Sequence, residues 1–346
     1  MHYLITGHTG FKGAWMTVLL KELGHEVSGL ALEPLPGSLF EAGDLAAHLE
    51  HDIRGDIRDL DVVRAALATV QPDIVIHLAA QPLVLASYED PIGTYDTNVM
   101  GTLHVLEAIS ETPSVQASLI ITTDKVYKNV NRVEGYREEE PLGGDDPYSA
   151  SKAMADILAQ SWIKSFPGSP IAIARAGNVI GGGDVSPARL LPDLLNAISS
   201  GTEIELRNPD AVRPWQHVLD CVYGYYLLVQ KLLAGKGLGE WNFGPGPESF
   251  VSVSKVVTDA QIYSGLEAGW RCVDAPRHEA QLLALDSTKA MSQLNWVNQL
   301  PYPVCLHWTM EWEHQRRGSL ASLQITQAQV EKYLKLIERD ASNNKT

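Results

Sequence analysis

Short apolar runs alternate with amphipathic stretches along the first half of the chain. The apolar runs, which are typical of buried strands, occupy residues 3–6, 27–32, 73–80, 119–123 and 171–175. Helical spacing of apolar residues recurs in residues 14–23, 61–70 and 94–110, and in a segment that Pro147 opens. Strands that alternate with helices in this way predict an α/β fold with an open parallel sheet and helices on both faces.

The second half of the chain mixes shorter elements. It holds helical patterns at residues 190–199 and 219–233, a candidate strand at 204–206 and a glycine-rich connector at 235–247. From residue 254 onwards we expect a smaller lobe of helices and strands that closes over the substrate. The last residues, from about 326, have the pattern of a polar helix that fades into a disordered end.

Composition narrows the possible function classes. The 346 residues include 27 Lys and Arg against 42 Asp and Glu, and a formal charge of −15 argues against a nucleic-acid-binding protein. Cys221, Cys272 and Cys305 are widely spaced, which is typical of a reduced cytosolic protein without a disulfide framework or a metal site. No apolar run approaches the roughly 20 residues of a membrane span, and a strand begins at once, so we expect neither a membrane helix nor a signal peptide.

The first strand runs into a glycine-rich turn, Thr6-Gly7-His8-Thr9-Gly10-Phe11-Lys12-Gly13. A dinucleotide fingerprint requires this context of strand, glycine turn, helix and strand. Its glycines let the backbone approach a pyrophosphate, and the helix N-terminus offers N–H groups. The spacing is Gly-x-x-Gly-x-x-Gly instead of the commoner Gly-x-Gly-x-x-Gly. A tight turn packed for other reasons is the alternative, and the flanking elements favour a cofactor site.

The residues at the end of the second strand are expected to determine whether the protein binds NAD or NADP. An acidic residue there holds the ribose hydroxyls, whereas an arginine accepts a 2′-phosphate. Residues 29–49 contain neither Arg nor Lys, and the absence of a cation that could bind the 2′-phosphate of NADP favours NAD. Glu33 is a candidate ribose partner or simply a solvated loop charge.

Tyr148 and Lys152 form the candidate proton-transfer pair. They stand four residues apart on a predicted helix and therefore lie on one face of it. A phenol has a reference pKa of about 10, which a neighbouring ammonium lowers. The pair is therefore suited to removing a hydroxyl proton. Such pairs also occur by chance on surface helices, so its interpretation depends on the rest of the sequence.

A series of segments matches one known pattern in order over the first half. They are the glycine-rich turn, Asp56-Ile57, His77-Leu78-Ala79-Ala80, Asn98, Thr122-Thr123-Asp124, Tyr148 with Lys152, and Arg175 with Asn178. Together they resemble the extended short-chain dehydrogenase/reductase family. Thr123-Asp124 followed by Val126-Tyr127 resembles its branch of nucleotide-sugar 4,6-dehydratases. Further segments in both halves, among them 55–59, 80–84, 174–184 and 213–218, resemble the members that act on CDP-glucose.

The resemblance implies a Rossmann-like, doubly wound parallel sheet and a smaller mixed α/β substrate lobe. It assigns residues 1–175, with the catalytic residues, to the NAD-binding domain and 176–325 mainly to the lobe, with some segments returning to the first domain. Residues 326–346 are left as a C-terminal tail. It also implies tightly held NAD, a CDP-sugar substrate and a cytoplasmic enzyme of deoxysugar biosynthesis, as in lipopolysaccharide O-antigen. The expected assembly is a homodimer, built through the helices from Thr94 and Pro147, or a tetramer of such dimers.

The same resemblance implies a role for each catalytic residue. Tyr148, its pKa lowered by Lys152 and the nicotinamide charge, takes the C4 hydroxyl proton, and Thr123 hydrogen-bonds that hydroxyl. Asp124 is the candidate acid for loss of the C6 hydroxyl, which requires burial to raise its pKa from a reference value of about 4. The expected cofactor contacts are Gly7, Thr9, Gly10, Phe11, Lys12, Gly13, Asp56, Ile57, Leu78, Ala79, Ala80, Asn98, Thr122, Tyr148 and Lys152.

Lys125 stands where the dTDP-glucose dehydratases carry a glutamate, the expected C5 base. An ammonium with a reference pKa of about 10.4 is not a base until desolvation or the charge of Lys152 lowers that value. Lys125 is therefore either the C5 base or a cation that stabilises the enolate or binds a phosphate. The sequence leaves the two roles open.

The substrate is expected to contact both halves of the chain. The arginines are candidate bidentate donors to a diphosphate, although a surface ion pair is the alternative for each of them. His217, beside Trp215, has packing as its alternative role. The expected substrate contacts are Gln81, Asn178, Arg189, Arg213, His217 and Arg277.

Other functions on the same scaffold are a sugar-nucleotide 4-epimerase and a dehydratase of GDP- or dTDP-sugars. An epimerase needs no acid at C6, so Asp124 and Lys125 argue against it. A GDP-mannose-type enzyme would carry an arginine after the second strand, where this chain has none. An NAD-binding regulatory protein would be expected to lack the Tyr148 and Lys152 pair.

Overall fold

A computed structural model describes residues 1–166, 168–265, 269–273, 282–318 and 320–343. The strands in these residues are β1 (His2–Thr6), β2 (Glu26–Ala31), β3 (Asp52–Arg54), β4 (Ile74–His77), β5 (Ala117–Ile121), β6 (Ile171–Ala176), β7 (Val179–Ile180), β8 (Ile204–Leu206), β9 (Val212–Pro214), β10 (Gln216–His217), β11 (Gly239–Phe243), β12 (Phe250–Ser252) and β13 (Trp270–Cys272). The helices are α1 (Phe11–Glu22), α2 (Leu39–Ala42), α3 (Leu60–Val70), α4 (Val84–Glu89), α5 (Pro91–Tyr95), α6 (Gly101–Ser110), α7 (Pro147–Ser165), α8 (Leu190–Ser200), α9 (Val218–Leu233), α10 (Val253–Ser264), α11 (Thr288–Leu294), α12 (Val304–Arg317) and α13 (Ser322–Asn343).

Seven strands form one parallel sheet in the order β11-β6-β5-β4-β1-β2-β3. The predicted open parallel sheet is confirmed. The strand order reverses beside β1, where Thr6 pairs with Leu30 of β2 on one side and His77 of β4 on the other. In sheets of this type ligands bind outside the carboxyl ends of the strands at such a reversal. The turn that follows Thr6 therefore lies at the expected ligand edge.

Helices cover both faces of the sheet. The pleat of β1 divides its side chains, so that Tyr3 and Ile5 join one apolar core and Leu4 joins the other. The first core includes residues of α1, α9 and α13, and the second includes residues of α3 and α6. Helix α7 covers the neighbouring strands β5 and β6 through a further small core around Ala159. Helix α7 begins at Pro147, and the Asp146 side chain caps it by accepting a hydrogen bond from the Ser149 amide.

The smaller lobe has its own apolar core. It is built from α8, α10 and the start of α12, with two-stranded pairs formed by β8 and β13 and by β9 and β12. The fully buried side chains at its centre include Leu194, Val256, Val257 and Leu306. The predicted strand at 204–206 and helix at 190–199 both belong to this lobe. Strand β11 returns to the large sheet, beside β6.

Helix α13 lies in the region expected to be a polar tail. It packs against α1, and its Val330 and Tyr333 are fully buried in the large core. This part of the helix is therefore structural, because removing it would expose apolar side chains of α1. Among the described helices, none is both long and apolar enough to cross a membrane.

Asp220 on α9 is a carboxyl group buried inside the large core. It accepts hydrogen bonds from the Tyr333 hydroxyl at 2.8 Å, the Gln299 amide at 2.8 Å and the Leu300 amide at 3.0 Å. Burial raises the pKa of Asp220 from 3.8 to about 7, and these hydrogen bonds act in the opposite direction. The folded state therefore holds this proton more tightly than the unfolded chain does.

We expect Asp220 to make the protein less stable as pH rises. Its stabilising contribution is complete below 3.8 and is lost as pH rises through about 7, because ionisation is harder in the folded state. Urea unfolding of the wild type and Asp220→Asn across this range measures the effect. The difference in unfolding free energy between the two proteins should change with pH, and a constant difference would contradict the expectation.

Candidate active site

One cavity of about 870 Å³ lies between the large sheet and the smaller lobe. Its walls come from the turns that follow β1, β2, β4, β5 and β6, from the start of α7, and from α8, β8 and β9. Most of the predicted site residues line it. They are Gly7, Thr9, Gly10, Phe11, Lys12, Gly13, Asp56, Ile57, Leu78, Ala79, Ala80, Gln81, Thr122, Thr123, Asp124, Lys125, Tyr148, Lys152, Asn178, Arg189 and Arg213.

The glycine-rich turn is built for close backbone approach. Gly7 has φ 77°, and a Cβ there would lie 2.7 Å from the Ala79 nitrogen. A Cβ on Gly13 would lie 2.2 Å from the Gly7 oxygen. Gly10 is exposed at the cavity and is the N-cap of α1, where it has no side chain with which to cap the helix. The first amides of α1 are therefore directed at the cavity, which fits the pyrophosphate of a dinucleotide.

Asn98 is placed differently from the prediction, which made it a cofactor contact. It is 1% exposed and does not line the cavity. Its side-chain oxygen accepts from the Gln81 amide at 2.8 Å, and its nitrogen donates to the Gln81 carbonyl at 3.1 Å and to Ser151 at 2.9 Å. Asn98 therefore connects the loop after β4 to α7. It supplies hydrogen-bond partners to the Gln81 backbone and the Ser151 hydroxyl at a buried point where water cannot.

Arg54 is a residue that the sequence argument about NAD and NADP missed. Strand β3 pairs Arg54 with Ala31 at the end of β2, so a guanidinium reaches the place where residues 29–49 supply none. It forms ion pairs with Asp52 at 2.7 Å and with Glu33 at 3.6 Å. The short pair with Asp52 occupies this cation, so the expected preference for NAD is unchanged. The sequence did not show this approach of Arg54, because it depends on the register between β2 and β3.

Tyr148 and Lys152 both lie at the cavity, but Lys152 is not the main cation acting on Tyr148. Burial raises the pKa of Tyr148, and the largest opposing influence is the positive charge of Lys125, followed by a hydrogen bond with Thr123. The Lys152 ammonium donates to the Ile121 carbonyl at 2.8 Å, and burial lowers its pKa to about 8. Lys125 therefore has the largest effect that lowers the pKa of Tyr148, and the role of Lys152 together with the nicotinamide charge stays a prediction.

Thr123, Asp124 and Lys125 follow β5 on a single 3-10 turn, Asp124–Val126. The Thr123 hydroxyl donates to Asp124 Oδ1 at 2.9 Å, and Lys125 Nζ lies 3.3 Å from the same oxygen. Asp124 is 1% exposed, whereas the Lys125 side chain is 30% exposed. A hydroxyl, a carboxyl group and an ammonium therefore meet beside the Tyr148 phenol. This arrangement can move protons to and from neighbouring carbon and oxygen atoms of a ligand.

The second lobe supplies two of the three predicted arginines to the cavity. Arg189 lines it and pairs with Asp184 at 2.9 Å, and Arg213 lines it from β9. Arg277 lies outside the described residues. His217, an expected substrate contact, does not line the cavity, which favours its alternative role in packing. It is fully buried between the rings of Trp15 and Trp308, and its Nδ1 accepts from the Leu219 amide at the start of α9.

Comparisons with known proteins agree with this geometry. The family model described as "NAD dependent epimerase/dehydratase family" matches residues 3–244. The chain is 46% identical over 305 residues to the CDP-glucose 4,6-dehydratase of Salmonella typhimurium, covering 84% of each protein. It is 29% identical over 332 residues to the dTDP-glucose 4,6-dehydratase of Streptomyces niveus, covering 92% of this chain and 94% of that protein.

Solved structures resemble the fold closely. The dTDP-glucose 4,6-dehydratase DesIV from Streptomyces venezuelae, solved with NAD bound, gives a TM-score of 0.81 at 26% identity, covering 93% of this chain and 100% of that chain. A UDP-glucose-4-epimerase from Stenotrophomonas maltophila, also with NAD bound, gives a TM-score of 0.80 at 22% identity. It covers 92% of this chain and 99% of that chain, and at this identity it supports the fold alone.

Proposed function

The chain belongs to the NAD dependent epimerase/dehydratase family, and from this premise we propose that it is an NAD-dependent CDP-glucose 4,6-dehydratase. The product is CDP-4-keto-6-deoxy-D-glucose. One observation carries the proposal furthest: Asp124 and Lys125 lie 3.3 Å apart on one turn at the same cavity as Tyr148. A 4-epimerase needs only oxidation at C4 and return of the hydride to the other face of C4, whereas a dehydratase also needs groups that remove water across C5 and C6. The identity of 46% with a CDP-glucose enzyme supports the choice of nucleotide.

Different residues serve the oxidation at C4 and the elimination across C5 and C6. NAD, held by the glycine-rich turn and α1, supplies oxidation at C4 and reduction at C6 when it is bound. Tyr148 takes the proton of the C4 hydroxyl, and Thr123 holds that hydroxyl by a hydrogen bond. Lys125 supports the phenolate form of Tyr148, because its positive charge lowers the pKa of the phenol. Tyr148 and Thr123 are 9% and 6% exposed, so both groups are largely shielded from solvent.

Elimination follows once C4 is a ketone, because the C5 proton is then acidic. Asp124, which lines the cavity beside Tyr148, donates a proton to the departing C6 hydroxyl. Lys125 either removes the C5 proton or stabilises the enolate that its removal leaves. Asn178, Arg189 and Arg213 hold the sugar and diphosphate from the second lobe, with bidentate donors from the arginines.

Assembly and location complete the proposal. We infer a homodimer through the helical segment from Thr94, which includes α6, and through α7. The α7 residues Met154 and Ile157 are apolar and exposed. The substrate and cofactor are small anions found in the cytoplasm, and we place the enzyme there. The division into an NAD-binding domain, 1–175, and a substrate lobe, 176–325, is part of the same proposal.

A substrate panel tests the function directly. Purified protein with NAD is incubated with CDP-, dTDP-, GDP- and UDP-glucose, and the products are weighed by mass spectrometry. The expected result is loss of one water from CDP-glucose. Loss of water from only one of the other three nucleotide sugars would change the assigned nucleotide of the substrate. Isomerisation without loss of water would indicate an epimerase. Binding of NAD with no reaction on any of the four would favour a regulatory protein.

Gly177 gives a prediction about the placement of Asp124. A Cβ added at Gly177 would lie 2.9 Å from Asp124 Oδ2, so the buried carboxyl group must move. We expect Gly177→Ala to lower kcat by about tenfold, because the acid is displaced from the reacting oxygen, and to leave the Kd for NAD unchanged. Steady-state kinetics and calorimetric titration measure the two quantities. Gly168→Ala is the matched control, since its added Cβ meets open space, and equal kcat values in both variants would contradict the prediction.

A further inference from the structure

The turn that carries Asp124 and Lys125 is held weakly by its own hydrogen bonds. The amides of Lys125 and Val126 approach Thr123 oxygens at 3.4 Å, and the Tyr127 amide approaches the Asp124 carbonyl at 3.3 Å. These distances are at the long limit for N–H···O hydrogen bonds. The Gly143 amide adds a bond of 2.8 Å to the Val126 carbonyl. The geometry of the turn therefore depends on contacts from outside it.

The residue before the turn is fixed to helix α7. The Thr122 hydroxyl donates to Asp156 Oδ2 at 2.9 Å, and both groups are buried. Asp156 stands one helical turn after Lys152, and its charge raises the pKa of that lysine against the effect of burial. The same carboxylate thus touches the strand end that leads into Thr123 and influences the lysine at the cavity.

The residue after the turn is fixed to strand β6. The Arg175 guanidinium donates from Nη1 to the Tyr127 hydroxyl at 2.8 Å and to the Glu138 carbonyl at 2.9 Å. The Tyr127 hydroxyl in turn donates to Asn242 of β11 at 2.8 Å. Tyr127 is 1% exposed, so this hydroxyl has no easy exchange with solvent. The end of the turn is thereby tied to two strands of the large sheet.

The two anchors meet in one buried ion pair. Arg175 donates from Nε to Asp156 Oδ2 at 2.8 Å and from Nη2 to Oδ1 at 2.7 Å, with both side chains fully buried. A buried pair of this kind adds little net stability, because desolvation offsets the attraction, and apolar side chains of similar size would often serve as well. What the bidentate pair does fix is the relative position of α7 and β6, and with it Thr122 and Tyr127.

We propose that Arg175 and Asp156 are positioning residues that clamp the catalytic turn from both ends and so set where Asp124 and Lys125 meet the substrate. The inference rests on the proposed dehydratase function for its effect on turnover. Neither residue touches the reacting atoms. Both act through Thr122 and Tyr127, which flank the turn.

Two mild substitutions separate this clamp from general stability. Thr122→Val and Tyr127→Phe each remove one anchoring hydroxyl and leave the Arg175 and Asp156 pair in place. Tyr333→Phe is the matched control, since it removes a buried hydroxyl bonded to Asp220 at 2.8 Å, away from the cavity. Hydrogen exchange of residues 124–127, kcat, the KM for CDP-glucose and the Kd for NAD are measured in all three variants.

The clamp predicts a specific pattern. Thr122→Val and Tyr127→Phe should each speed hydrogen exchange in the turn and lower kcat by about tenfold, as expected for one lost hydrogen bond, with KM nearly unchanged. The Kd for NAD should stay nearly unchanged in Tyr127→Phe, because Tyr127 is not an expected cofactor contact. Tyr333→Phe should leave kcat and exchange in the turn as in the wild type. A merely structural role would lower the melting temperature of all three variants alike and leave kcat unaffected.

The outcomes are distinguishable. Unchanged exchange of residues 124–127 in both turn variants overturns the clamp, whether or not the wild type is active. Unchanged kcat in both overturns it when the wild type dehydrates CDP-glucose. If the wild type acts on none of the four nucleotide sugars, the proposed function is wrong. Faster exchange in the two variants would then still establish the anchoring itself.

Discussion

Tyr148→Phe is expected to lower kcat for dehydration of CDP-glucose by about 10³-fold, within the usual range for loss of a general base. The Tyr148 phenol lies at the cavity, where the charge of Lys125 and a hydrogen bond with Thr123 lower its pKa against the effect of burial. Phenylalanine keeps the ring and its packing but cannot accept the C4 hydroxyl proton. No later step then begins, because the acidity of the C5 proton depends on the C4 ketone. Initial rates at saturating CDP-glucose measure the loss.

Binding separates a chemical effect from a damaged site. The Kd values for NAD and for CDP-glucose should stay close to those of the wild type in Tyr148→Phe, since the glycine-rich turn and the arginines are untouched. Tyr225→Phe, a change in a fully buried tyrosine that does not line the cavity, controls for the loss of a hydroxyl from the core. Near-normal kcat in Tyr148→Phe would mean that another group removes the C4 proton.

The large sheet and the glycine-rich turn were predictable from the sequence because their signals are local. Strands such as β4 and β5 are nearly continuous apolar runs, and helices such as α3 show one apolar face. Gly7 and Gly13 mark positions where a Cβ would meet backbone atoms, so a fingerprint in the sequence corresponds directly to a steric requirement. The order of strands at the reversal beside β1 then places the ligand edge.

The differences between the predicted and the observed placements concern side chains whose neighbours are distant in sequence. Asn98 and His217 stand in segments that match the expected motifs, yet each is used inside the protein, one between a loop and α7 and the other between two tryptophans. Arg54 reaches the end of β2 only through the register of β3. A motif fixes which residues are near a site, but packing between elements decides which of them face it.

The influence on Tyr148 is the most informative of these differences. Helical spacing correctly puts Tyr148 and Lys152 on one face of α7, but the Lys152 ammonium turns to the Ile121 carbonyl. Lys125 arrives from the turn after β5 and acts on the phenol instead. Sequence spacing on one helix could not reveal a cation supplied by another element. Lys125 therefore has two candidate effects, one on Tyr148 and one on the C5 proton.

Lys125→Met is expected to abolish dehydration, with kcat lower by about 10³-fold, while NAD and CDP-glucose still bind. Methionine preserves much of the length and apolar stem of lysine but supplies neither a base nor a positive charge. The ion pair with Asp124, 3.3 Å in the wild type, is lost as well. Lys128→Met is the matched control, since Lys128 is exposed and lies three residues further along, outside the cavity lining. Turnover at the wild-type rate would remove Lys125 from the mechanism.

The pH dependence of Lys125→Met distinguishes the two effects of the lysine. Its charge lowers the pKa of Tyr148, so the variant has a phenol of higher pKa, and C4 oxidation alone should recover as pH rises. CDP-glucose labelled with deuterium at C5 follows the next step. If Lys125 removes the C5 proton, the label stays in the sugar at every pH, because no base replaces it. If Lys125 acts only through Tyr148, raising the pH restores both label loss and dehydration. We expect the label to be retained, because Lys125 lines the cavity beside Asp124 and, as the neutral amine, would accept the C5 proton to become the ammonium.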